Sequence, residues 1–428
     1  MLILVRRKKC LNMNRHGVLK EELQQQLSGI RRIFNMSKGT IIYIGGFELP
    51  DKNAAAHRVM SNAKLLRKLG YSIVFIGIDK DINTSKNIIN TRQEIEGFTS
   101  YQVPYPRSNK QWFNHLVSID HFLKVVEMYN NIEAVICYNY QSLAFEKIRK
   151  YCRKNKIKII SDCTEWYGKS EGNIAFRILK YFDTALRMKI INNRVDSLIV
   201  VSKYLRNYYK NKPAIVIPTI VSRKKQSKSK YIENEVTKLI YAGVPFRLGK
   251  RLKKRNSAKD RLDIAIKLLY QSYKKGIKFR FDIYGITKKQ YIEVLPEDTF
   301  IIEKMENYIF FHGRRTNREV QNIISNADFS ILIRDENRTT MAGFPTKFAE
   351  SISLGVPVIT TKTSDLVDYL VEGKNGFFID IKKENRDEDI FFKILSIDKE
   401  SKREMKEYCL KEKTFDPENW IDDFRYIL

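Results

Sequence analysis

The chain has 428 residues, 43% of them hydrophobic and 12% aromatic, which is too long for one core and too apolar for a disordered chain, so two folded domains are expected. Lysine and arginine number 78 against 49 aspartates and glutamates, a formal charge of +29 that invites anionic partners: nucleic acid, anionic lipid or phosphorylated substrates. Cys10, Cys137, Cys152, Cys163 and Cys409 are scattered without a CxxC pair, and the five histidines lack an HExxH spacing, which argues against a disulfide framework and against a metal site.

No apolar run reaches the roughly 20 residues that a membrane-crossing helix needs. The opening MLILVRRKKC puts its apolar run before its basic one, the reverse of a secretory signal, so a cytoplasmic location is expected. Met36 begins MSKGTIIYIGGF, which itself reads like a protein start. Residues 1–35 are therefore read as a basic extension, either non-native or membrane-associating.

From Thr40 short β-branched runs alternate with longer amphipathic stretches, the pattern of a parallel sheet covered by helices. TIIYIGG is the first strand and its turn. A helix follows with Ala55, Val59, Ala63 and Leu66 at helical spacing and Gly70 as its stop. YSIVFIGID, AVICYNY, KIKIISD and SLIVVS are further strands. The rhythm restarts at KLIYAG and runs through FRFDIYG, YIFFHG, FSILIR and PVITT. Two such series imply an α/β protein of two Rossmann-like domains facing a cleft. Residues 36–225 form the first and 226–410 the second, joined near KQSKSKYIENE, with a last helix over 411–428 packing back on the body.

The chemistry concentrates in Asn337–Ile379. Pro345 near a helix start, Phe348 and Ile352 on one face and Gly355 as the stop define a short helix. Its N-terminus, with Lys347, suits a diphosphate. Thr346 and Glu350 lie one turn apart, and an ionised Glu350 can accept from a ribose diol. A solvated Lys347–Glu350 pair is the plain alternative. Gly243, Gly285 and Gly313 end strands where a backbone could approach a nucleotide, and Arg314 and Arg338 are candidate phosphate or sugar contacts. In the first half Gly45 and Gly46 close the first strand, while Asp162 and Glu165 follow KIKIIS at a strand end facing the cleft. Either carboxylate could position an acceptor hydroxyl or stabilise an oxocarbenium-like transition state; a helix cap by Asp162 or Thr164 is the structural alternative. Asp79 and Asp81 form a short DxD, read as loop carboxylates because the stronger signals lie late in the chain.

The GFPTKFAES segment and the GVPVIT after it resemble the donor-binding region of family-4 retaining glycosyltransferases, which have the GT-B fold. The GFPTKFxES form is similar to one found among bacterial polysaccharide-assembly enzymes. KLIYAGVP, then Lys259 and Asp260 before RLDIAIKLL, resembles that family's strand-glycine-loop-Lys-Asp pattern. The resemblance implies that Lys259 neutralises the leaving diphosphate, that Glu350 binds the donor nucleoside, and that the Gly45–Gly46 loop admits the acceptor. Two departures stand out. Ala342 occupies the place of the family's first glutamate, assigned to the transferred sugar, and Thr363 and Ser364 replace the Gly-Gly of the next turn, where their hydroxyls could serve phosphate.

The function so implied is metal-independent, retaining transfer of a hexose-type unit from a UDP- or GDP-sugar. The acceptor is a lipid-linked compound or glycan, in capsule, other surface polysaccharide or glycolipid assembly. The nucleotide sugar is a substrate and no cofactor is expected. The positive surface would hold the enzyme at the anionic inner face of the plasma membrane. Two alternatives are a non-enzymatic binder of RNA or lipid, although no RNP, KH or helix-turn-helix pattern makes nucleic acid an expected partner, and a GT-B-shaped nucleotide-sugar epimerase.

Overall fold

The computed structural model describes residues 37–82, 87–166, 174–221, 235–381 and 386–428. The extension 1–35 and nearly all of the KQSKSKYIENE joint lie outside them.

The first half builds an eight-stranded sheet from β1 (Thr40–Gly45), β2 (Ser72–Asp79), β3 (Gln93–Ile95), β4 (Phe98–Pro104), β5 (Ile132–Tyr138), β6 (Lys158–Cys163), β7 (Ser197–Val200) and β8 (Ala214–Val216). Its order is β3-β4-β2-β1-β5-β6-β7-β8. All pairs are parallel except β3–β4. The second half builds a six-stranded, wholly parallel sheet from β9 (Thr237–Ala242), β10 (Phe279–Tyr284), β11 (Ile309–Gly313), β12 (Phe329–Leu332), β13 (Val358–Thr361) and β14 (Gly376–Ile379). Its order, β11-β10-β9-β12-β13-β14, is the doubly wound nucleotide-binding arrangement. Ile41, Ile42, Tyr43, Leu239, Ile240 and Ile359 are wholly buried, because a central parallel strand is covered on both faces and tolerates no polar alternation. The strands read from the sequence all lie in these sheets. β3 and β4 lacked that apolar signature, and β14 has it only over the short GFFI: β4 reads FTSYQVP and joins β3 through a tight turn at Glu96 and Gly97, both at positive φ.

The helix Ala54–Lys68 starts at Asn53, whose side chain accepts from the Ala56 amide at 2.8 Å, and buries Val59, Ala63 and Leu66 on β1 and β2. Its stop at Gly70 has φ of +96°.

In each sheet the strand order reverses once, between β1 and β5 and between β9 and β12, and the crevice at such a point is where open α/β sheets bind ligands. The two halves present their carboxyl strand ends to each other. Beyond β7, the Ser202 hydroxyl donates to the Ala342 carbonyl at 2.8 Å and the Lys203 amide to Asp365 at 2.7 Å. Beyond β6, Trp166 lies under the Arg338 guanidinium, 4.9 Å from ring centre to Cζ. Phe344, Phe348, Tyr369 and Phe415 form one aromatic cluster at this junction. From Phe415 the chain returns to the first half, where the helix Ile421–Ile427 packs on β8 and on Ala54–Lys68.

Candidate active site

Asp260 organises the second half's crevice. The amides of Lys259 and Asp260 both donate to the Pro245 carbonyl, at 2.8 and 3.1 Å, which turns the Asp260 carboxylate inward to 1% exposure. There it accepts from Arg334 Nε at 2.7 Å, from the Tyr241 hydroxyl at 2.8 Å and from Lys347 Nζ. Burial opposes ionisation, but Lys347 and Arg334 outweigh it and hold the carboxyl well below its usual range. Burial also pulls the Lys347 ammonium below its ordinary value, Asp260 resists, and the nearby Arg334 and Lys259 charges add to the fall. Thr361 fixes Arg334 by accepting from its amide at 3.0 Å and donating to its carbonyl at 2.7 Å. Lys259 stays exposed. Two cations thus share one buried carboxylate, with Lys259 nearby, leaving net positive charge for an anion.

The backbone comes close at the same place. Gly243 has φ of +149°, and a Cβ there would lie 2.3 Å from Lys347 Nζ; a Cβ on Gly285, at φ +106°, would lie 2.3 Å from the Gly243 carbonyl oxygen. Only glycine fits either position. Gly285 in turn donates to the Gly313 carbonyl at 2.8 Å, so Gly243, Gly285 and Gly313 close adjoining strand ends. The helix Thr346–Ser353 begins after Pro345 in extended conformation with no side-chain cap; the Phe348 amide donates to the Pro345 carbonyl at 3.0 Å, and the Thr346 and Lys347 amides before it are placed to meet a ligand. Lys347 turns to Asp260 instead of pairing with Glu350. Glu350 is half-buried, and burial pushes its carboxyl up to about 7 against the pull of Lys347. The Thr346 hydroxyl lies 3.4 Å from that of Thr219 in the first half.

Other sequence-derived candidates fall differently. Ala342 is fully buried at the junction. Thr363 and Ser364 are buried there too; Ser364 has φ of +52° and its hydroxyl lacks a hydrogen-bond partner. Asp162 does not face the cleft, and this corrects the expectation. It is fully buried and accepts from Arg58 Nη2 at 2.8 Å, from Arg58 Nε at 3.0 Å and from the Tyr43 hydroxyl. Both oxygens are thereby occupied in the sheet interior, because strand alternation points this residue inward. Glu165, two residues past β6, is exposed. Arg314 is exposed, and Arg338 covers Trp166. Of the cationic loop before Lys259, Arg255 is bound to Asp298 and Asp263, and Arg251 to Glu297. Asp81 pairs with Lys52 at the surface.

In the first half, a cavity of about 120 Å³ opens at the carboxyl ends of β1, β2 and β4. Gly45, Pro104, Asn114, His115, His121 and Tyr140 are among its walls. Burial lowers both histidines from their ordinary value, so the walls are neutral and hydrogen-bonding. Gly46 beside it is exposed.

Residues 250–396, which hold Asp260, Arg334, Lys347 and Glu350, match the family model described as glycosyl transferases group 1. Over the whole chain, sucrose-phosphate synthase of Thermosynechococcus elongatus superposes with a TM-score of 0.62 at 11% identity, covering 91% of this chain and 98% of that one. HepE of Anabaena, solved in complex with UDP and glucose, superposes with a TM-score of 0.56 at 13% identity, covering 90% and 98%. The architecture is GT-B. In sequence, 127 residues are 27% identical to WcaL of Salmonella typhimurium, named as a glycosyltransferase of colanic acid biosynthesis. That match spans 29% of this chain and 30% of the relative's length.

Sequence reasoning missed Arg334 and Tyr241, and passed over Asp260 as a site residue. Arg334 follows an ordinary buried strand, and its partner lies 74 positions earlier. The available signal was the adjacency of Asp260 to Lys259 in a Lys-Asp pattern.

Proposed function

We propose that this GT-B protein is a glycosyltransferase that moves a hexose-type unit from a UDP- or GDP-sugar to a lipid-linked or glycan acceptor, with retention of configuration, in surface polysaccharide or glycolipid assembly. The carrying observation is the buried Asp260 that gathers Lys347 and Arg334 beside Lys259, at the open N-terminus of the helix bearing Glu350. The group 1 match over this stretch and the UDP and glucose in the HepE structure support the donor assignment.

In this reading the diphosphate lies across Lys259, Lys347, Arg334 and the amides after Pro345, while Glu350 accepts from the ribose. As the glycosidic bond breaks, its electron pair passes to the diphosphate oxygen, and the preset cations stabilise that charge without a metal ion. The acceptor hydroxyl oxygen forms the new bond to the sugar carbon, and its proton passes to the departing diphosphate oxygen that received the electron pair. Glu165, exposed at the facing strand end, is assigned to orient that hydroxyl. The acceptor enters the neutral cavity beside Gly45 and Gly46.

A thermal-shift panel of UDP- and GDP-sugars in the presence of EDTA tests the reading. One of these donors should stabilise the wild-type protein, with the shift diminished in Lys259→Ala and Glu350→Gln. The transferase reading fails if none does while RNA stabilises the chain, and donor conversion without an acceptor would indicate an epimerase.

A further inference from the structure

The helix Ile174–Leu186 and the turn continuing it to Ile191 are amphipathic in the wrong sense for a soluble surface. Thr184, Arg187, Met188 and Ile191 face inward. Ile178, Leu179, Tyr181 and Phe182 face outward at 49% to 64% exposure. At 100° per residue, Ile178, Tyr181 and Phe182 share one stripe. A cluster of large apolar side chains on solvent marks a docking face.

Two observations identify what docks. Arg177 and Lys189 flank the stripe, both exposed, and the stretch 174–191 contains a single acid, Asp183. That acid is turned inward to accept from the Ser142 amide and hydroxyl, each at 2.7 Å. The outward face therefore combines apolar and cationic groups, within a chain of net charge +29. Second, the face continues to the mouth of the first-half cavity. Ser142 follows Tyr140, a cavity wall, and Gln141, whose Nε2 lies 2.6 Å from Nε2 of His115, another wall. Leu143 and Phe113, 50% and 67% exposed, extend the apolar surface along this route.

We propose that this face lies on an anionic bilayer, with Ile178, Leu179, Tyr181 and Phe182 entering the headgroup layer and Arg177 and Lys189 meeting lipid phosphates. The cavity mouth then opens at the membrane, where a lipid-linked acceptor resides. The choice of acceptor rests on the transferase reading; the binding itself does not.

Sedimentation of the full chain with vesicles of equimolar phosphatidylglycerol and phosphatidylcholine tests the proposal without turnover. Wild type should bind and be released by salt. The variant Ile178→Ser, Tyr181→Ser, Phe182→Ser should lose roughly tenfold or more of its partition, while its melting temperature and donor-induced thermal shift stay at wild-type values. Phe182→Leu should keep wild-type binding, and vesicles should slow amide exchange in Ile174–Leu186. Equal partition of the triple variant and wild type overturns the proposal, as does equal binding to pure phosphatidylcholine. A dimer abolished by the triple variant, with no vesicle binding, would assign the face to a second copy of the chain. Vesicle binding without any donor shift would overturn the transferase reading and leave this one standing.

Discussion

Asp260 and Lys259 are neighbours with opposite duties, and substitution separates them. Asp260 is the buried anion on which Lys347, Arg334 and Tyr241 converge, so Asp260→Ala leaves the buried Arg334 and the partly buried Lys347 uncompensated. Breaking a buried pair costs about 3–5 kcal/mol, and chemical denaturation should record a loss of that order together with loss of donor binding. Lys259 is exposed, so Lys259→Ala should leave the denaturation midpoint unchanged. Its turnover should fall by a factor on the order of 10² to 10³, the cost of deleting one preorganised group that stabilises charge. Glu350 adds a pH signature. Its carboxyl is raised from 4.5 to about 7, so between those values the unfolded chain loses a proton that the native protein keeps. The associated stability is fully present below about pH 4.5 and is lost as pH rises through about 7, a change of about 3 kcal/mol. Glu350→Gln escapes this loss and should melt higher than wild type at about pH 8. A ribose diol bonds best to the ionised form, so wild-type donor affinity, measured by calorimetry, should rise across the same interval.

Among the elements, the turn after β13 contains a local conflict. The family resemblance places Gly-Gly where this chain has Thr363 and Ser364, and the backbone keeps the glycine geometry at Ser364, φ +52°. A side chain in that region costs on the order of 1–3 kcal/mol, and the Ser364 hydroxyl is buried without a partner. Ser364→Gly removes both penalties and adds back about 0.4–1 kcal/mol of unfolded-chain entropy. It should therefore stabilise the protein by about 1 kcal/mol, read as a higher denaturation midpoint. This turn also shows what a sequence discloses. Strand identity was legible because apolar runs such as TIIYIG and KLIYA have few other uses, and the helix after Pro345 was legible from its stop at Gly355. Side-chain partnerships were not. Lys347 looks like the partner of Glu350 at i,i+3 until the fold brings Asp260 to it from 87 positions away. Asp162 looks like a cleft carboxylate until strand alternation points it at Arg58, 104 positions earlier. Local pattern records periodicity and turn chemistry, whereas sheet order decides which distant charges meet.

At the scale of the whole molecule, the Asp260 cluster in one half and the cavity beside Gly45 in the other can act together, as the proposed transfer requires, only if the junction sets their separation. One hydrogen-bonded part of that junction is the Lys203–Tyr208 helix. Its first amide is capped across the junction by Asp365, while Ser202 donates to the Ala342 carbonyl and itself accepts from Leu205 at 3.3 Å. The Lys203–Asp368 pair beside them is largely exposed and contributes little. Each lost cap costs about 0.5–2 kcal/mol, so the double variant Ser202→Ala, Asp365→Ala should fold and melt at a lower temperature. Faster amide exchange should be confined to Lys203–Tyr208 and its neighbours. Donor binding should be retained, since Lys259, Lys347, Arg334 and Glu350 all belong to the second half. Turnover with acceptor should fall, because a small misplacement of two reacting groups costs about 10²-fold. Retained donor binding with slowed transfer would show that the junction aligns the halves; unchanged transfer despite faster exchange would show that bound substrates align them without it.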